Sequence, residues 1–162
     1  MTDTLTGPST EDVREVTLPA RTVAGLREQV AVTELAAFFR RAIPHVIAEF
    51  ARLGLVPGGP PTAVYRHELG QMFDVTVGFP IVGGLPATGA GLTTAELPAG
   101  RAVQVEHAGS YETLPAAYAA LGAWFGTHRE RPPDVMWEEY LTGPGAVEES
   151  QYRTRVVYPV RS

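Results

Sequence analysis

The stretch Val135-Met136-Trp137-Glu138-Glu139-Tyr140-Leu141 sets two carboxylates side by side among aromatic and apolar residues. A strand sends neighbouring side chains to opposite faces of its sheet. Read as a strand, the stretch must therefore point one glutamate to each face, whatever its register. A carboxylate on a covered face needs a hydrogen-bond network, an arginine or a ligand to compensate its charge. Glu138 shares a face with Tyr140, and parity alone leaves open whether Glu138 or Glu139 points inward.

The rest of the chain supplies a frame for this strand. Val13 to Leu18 alternates apolar and polar, and Thr22 to Val32 is rich in β-branched residues. Thr33-Glu34 reads as a capped helix start. Behind it Leu35, Phe38, Phe39, Ala42, Val46, Ile47, Phe50 and Leu53 recur at helical spacing up to Gly54. Pro44 inside that run predicts a kink or a division. Thr62 to Leu69 and Met72 to Val82 read as strands turning at Gly70. Thr93 to Leu97, Arg101 to His107 and Tyr152 to Val160 follow the same pattern. A second helix starts at Thr113, with Pro115 in its first turn.

The second half repeats the first. Leu18-Pro19-Ala20 recurs as Leu97-Pro98-Ala99, and Phe73…Phe79-Pro80 as Tyr152…Tyr158-Pro159, both 79 residues on. Ala36-Ala37-Phe38 matches Ala116-Ala117-Tyr118. With Pro60-Pro61 matched to Pro132-Pro133, Tyr65 takes the position of Trp137, and Glu68 that of Tyr140. A β–helix–β–β unit used twice predicts an α+β fold: an antiparallel sheet, two main helices and a groove where the halves meet. The boundaries expected are a loose tail over 1–12 and one domain over 13–162. Within it lie a module over 13–82, a Gly-rich connector over 83–91 and a second module over 92–162.

Composition excludes several functions. The net charge of −5 argues against a nucleic-acid partner. Without cysteine there are no disulfides, thiolate metal sites or cysteine nucleophiles. No run is long and apolar enough to span a bilayer, and the start lacks a signal-peptide pattern, so a cytoplasmic protein is expected. The four histidines, His45, His67, His107 and His128, show no ligand spacing, so no metal is expected. Gly89-Ala90-Gly91 lacks the rest of a dinucleotide fingerprint, and no cofactor is expected. What remains is an acid among rings. Candidate ligand-binding residues are Glu138, Trp137, Tyr140, Tyr65, Phe79, Tyr158, Tyr152 and Glu139. Such a groove suits flat lipophilic molecules, cations above all, because ring faces attract cations. A structural alternative stands beside it: Arg153 or Arg155 can pair with Glu138 or Glu139, and strand aromatics can be core.

His107-Ala-Gly109-Ser-Tyr111, then Leu114, Tyr118, Leu121 and Trp124, then Trp137-Glu138-x-Tyr140-Leu141 with Pro144, then Thr154 and Val156-x-Tyr158-Pro159-Val160, resemble the GyrI-like effector-binding family. The resemblance covers nearly the whole chain from Val13. It implies two SHS2-like modules with a drug-binding groove between them, and it places Glu138 in that groove. There is no room for a DNA-binding domain, which implies a standalone member. The function implied is binding, sequestering or sensing of lipophilic, often cationic, compounds. The Trp-Glu-Glu-Tyr form also resembles standalone members that hydrolyse cyclopropane-bearing genotoxins. That implies Glu138, or Glu139, as general base, assisted by Tyr140 or Tyr65. A third implication is a gyrase-inhibitor-like accessory that binds a protein.

Overall fold

A computed structural model describes residues 12–69, 72–86, 91–143 and 146–160. The tail expected over 1–12, apart from Asp12, lies outside the described residues. So do Gly70, part of the connector and Pro144. Among the described residues eight strands form one antiparallel sheet: β1 (Arg14–Leu18), β2 (Arg21–Ala31), β3 (Thr62–Leu69), β4 (Met72–Ile81), β5 (Thr93–Leu97), β6 (Gly100–Ala108), β7 (Met136–Thr142) and β8 (Arg153–Pro159). Two helices, α1 (Leu35–Leu53) and α2 (Pro115–Thr127), cover one face. The fold is α+β, as the repeat predicts.

The helices form where apolar residues recur every three or four positions. α1 buries Phe38, Ala42, Val46 and Phe50 against β2, β3 and β4. α2 buries Ala117, Leu121 and Phe125 against β6 and β8. Each large buried side chain contributes about 1.5–3 kcal/mol. Gly54 ends α1 in the left-handed region at φ 72°, where glycine is unstrained. The expected threonine caps differ. Each helix is entered through a 3-10 turn, Val32–Glu34 and Tyr111–Thr113, and neither threonine caps it. Thr113 Oγ1 instead donates to the Ser110 carbonyl at 2.9 Å and lies 2.8 Å from His107 Nε2.

The strand order is β1-β6-β8-β7-β3-β4-β2-β5. The first strand of each half has crossed over: β1 borders β6 of the second half, and β5 borders β2 of the first. The sheet also curls. Val16 and Leu18 of β1 and Ala95 and Leu97 of β5 gather with Val64, Trp137 and Val157 of the central strands on the face away from the helices.

Register makes the repeat measurable. Leu18 faces Gly100, and Leu97 faces Arg21, so the pair recurs with the halves exchanged. Ala24 faces Phe79 as Val103 faces Tyr158. Tyr65 faces Val75, and Tyr140 faces Thr154, the residue 79 places after Val75. Tyr65 is therefore the counterpart of Tyr140, not of Trp137, and Glu68 is not the counterpart of Tyr140. The four-residue difference in spacing arises because the first helix is longer, 19 residues against 13. At the centre of the sheet β3 meets β7 with Ala63 opposite Glu138. The same alignment makes Ala63 the counterpart of Glu138, so the pseudo-twofold axis passes through this pair. No helix among the described residues is long and apolar enough to cross a membrane.

Candidate functional site

β7 splits its two glutamates as alternation requires. Glu139 lies with Trp137 on the face away from the helices. It is 3 % exposed and fully engaged. Arg21 donates to it at 3.0 Å, Arg155 at 2.9 Å, and the Trp137 indole N–H at 3.0 Å. Two guanidiniums and an indole answer one carboxylate, so its charge is spent within the fold. Trp137 and Glu139, both expected in the groove, are therefore on the other side of the sheet from it.

Glu138 faces the helices and is 5 % exposed. Its hydrogen-bond partners are phenols: Tyr140 Oη donates to it at 2.5 Å, and Tyr118 Oη donates from α2. No guanidinium pairs with it among the described residues. Burial pushes its carboxyl up to about 7, against the hydrogen bond from Tyr140, which favours the ionised form. The Tyr140 hydroxyl also interacts with that of Tyr65. Burial, then the charge of Glu138, pushes the phenols of Tyr65 and Tyr140 well above the ordinary range. The same two causes push Tyr158 up to about 12.

Glu138 opens onto a cavity of about 500 Å³, within the usual size of small-molecule sites. Its walls come from both halves: Tyr65 and Phe73 from β3 and β4, Tyr118 from α2, Met136 and Tyr158 from β7 and β8. Arg66 and Asp134 also line it. Of the candidates read from sequence, Glu138, Tyr65 and Tyr158 share this cavity, and Tyr140 lies behind it as a hydrogen-bond donor to Glu138. Phe79 is elsewhere, packed 5.5 Å from the ring of Phe50. Tyr152 packs against Tyr111, the ring centres 5.1 Å apart and the planes tilted by 36°, away from the cavity.

In the sequence Tyr118 stands as the match of Phe38 in the repeat and among the residues of the family resemblance, but not as a partner of the acid. The repeat held the clue to its role. Its counterpart Phe38 packs with Ala63, the counterpart of Glu138. One half carries phenylalanine on alanine where the other carries tyrosine on glutamate, so hydroxyl and acid arrive together. Among the described residues no cluster of three or more His, Asp or Glu is placed to hold a metal ion.

Solved structures share this fold. The EcmrR C-terminal domain superposes with a TM-score of 0.77 at 19 % identity, over 94 % of this chain and 98 % of that one. SAV2435 bound to tetraphenylphosphonium matches with a TM-score of 0.71 at 15 % identity, over 93 % and 94 %. A hydrolase from Listeria innocua matches with a TM-score of 0.58 at 12 % identity, over 93 % and 92 %. No curated protein matches the chain by sequence. The model of the GyrI-like small molecule binding domain matches residues 11–161, and with it this chain belongs to that family.

Proposed function

We propose that the protein binds lipophilic aromatic cations in this cavity, with Glu138 as countercharge and Tyr65, Phe73, Tyr118 and Tyr158 as walls. The observation that carries the reading is the contrast between the two glutamates. Glu139 is neutralised by Arg21 and Arg155, whereas among the described residues Glu138 is buried against neutral phenols alone. A buried charge without a counterion favours a cation that brings one. Ring faces add about 0.5–2 kcal/mol each. The ligand of SAV2435, tetraphenylphosphonium, is of this chemical class. The test is calorimetric titration with tetraphenylphosphonium and with neutral triphenylphosphine oxide. Wild type should prefer the cation, and Glu138→Gln should lose about tenfold or more of that preference, the worth of one charge-assisted contact. Equal preference in both proteins would overturn the reading.

A second reading rests on the carboxyl raised to about 7, which suits a general base at neutral pH. Glu138 would take a proton from water. The hydroxyl would add to one carbon of a strained three-membered ring carrying a carbonyl. The ring C–C bond would break, its electron pair passing to the carbonyl and then to a proton. Glu138→Gln separates the two: a hydrolase variant holds its substrate and stops turning it over, whereas a binder shows no turnover in either form.

A further inference from the structure

The pseudo-twofold axis through Ala63 and Glu138 gives the cavity a counterpart on the other side of Glu138. Shifting the walls by the repeat turns Val32 into Tyr111, Tyr65 into Tyr140 and Phe73 into Tyr152. In the open half, Val32, Tyr65 and Phe73 line space. In the other half the matching residues are all tyrosines and fill it. The ring of Tyr111 lies 5.1 Å from that of Tyr152 and 6.0 Å from that of Tyr140, whose far side meets Phe39 at 6.1 Å. Tyr111 is the outermost of these, 40 % exposed at the start of the 3-10 turn that leads into α2. Its hydroxyl is seated on Gly143, where a Cβ would stand 2.9 Å from it. A side chain at 143 would push the ring off this seat.

We propose that Tyr111 is a specificity-determining residue that closes the second half-site and limits the ligand to one lobe. The inference rests on the cation-binding reading above. The closed half has alanine at the position of Glu138, so it offers no countercharge. What it would take, once opened, is a neutral aromatic arm attached to the cation held by Glu138.

Two phosphonium probes test this by calorimetry: tetraphenylphosphonium, and (biphenyl-4-ylmethyl)triphenylphosphonium, which adds a long aromatic arm to one charge. Tyr111→Val copies Val32 into the closed half. It should raise the affinity for the armed probe relative to the plain one by about tenfold, as burial of one further ring allows. Gly143→Ala should act in the same direction but less, by turning the ring outward, and serves if Tyr111→Val does not fold. An unchanged ratio in a folded variant that still binds tetraphenylphosphonium overturns the role of Tyr111 and leaves the binding reading intact. If wild type binds neither probe, the binding reading itself has failed, and this inference with it.

Discussion

Glu138 and Glu139 are chain neighbours with opposite surroundings, and pH should tell them apart. The folded Glu138 carboxyl titrates near 7, above the 4.5 of an unperturbed glutamate. Between these values the folded state holds a proton that the unfolded state has lost, so stability falls as pH rises through this window. The full effect is on the order of 3 kcal/mol, at 1.36 kcal/mol per pKa unit. Glu138→Gln removes it. Urea unfolding at pH 5 and pH 8 should show wild type losing stability relative to the variant, and the variant should be the more stable at pH 8. Parallel pH profiles would mean that Glu138 is not buried as described. The sequence carried the parity of this pair and offered Arg155 as a partner, which Glu139 takes, but it gave no sign of Arg21. Arg21 is 118 residues from Glu139, and only folding brings them together.

Helix α1 carries Pro44 in its interior, yet Leu35–Leu53 runs without a break. Pro44 is exposed, and so is Arg40, whose carbonyl loses its helical donor at that proline. Water can serve that carbonyl, and the buried stripe of Phe38, Ala42, Val46 and Phe50 holds the helix together on its other side. The expected division does not occur because packing outweighs the local cost. That cost remains in the free energy. Pro44→Ala should stabilise the protein by about 1–3 kcal/mol, read from urea unfolding. A loss of stability would show that the proline shapes a bend the core requires. The helix starts were misread for a related local reason. Thr33 and Thr113 look like caps in sequence, but a 3-10 turn enters each helix and satisfies its first donors through the backbone.

The whole molecule is two similar halves that have traded their first strands. Neither half is self-contained: β1 completes the sheet beside β6, and β5 does so beside β2. Val16 and Leu18 of β1 help to cover Trp137 at the centre of the sheet. Deleting residues 1–18 should therefore bare the β6 edge and uncover that cluster. The expected result is a lower unfolding midpoint and concentration-dependent association by light scattering, as an exposed strand edge invites pairing. A monomer of undiminished stability would mean that the exchanged strand is ornamental to the core. The cavity belongs to this same scale, since Tyr65 and Phe73 come from one half and Tyr118, Glu138 and Tyr158 from the other.

By itself the sequence determined the elements and their duplication. Alternation, helical spacing and the 79-residue echo are local or periodic, and each acts through the chain's own covalent geometry. It also determined that the Glu138-Glu139 pair must send one acid to each face of its strand. Only the tertiary structure decided the exchange of β1 and β5, the pairing of Tyr65 with Tyr140 and the enclosure of Trp137. It alone decided that the glutamate among phenols is Glu138, while Arg21 and Arg155 neutralise Glu139. These depend on which strands become neighbours and how far the sheet curls. Such choices are settled by the burial of all the strands together, and no single stretch of the chain encodes them.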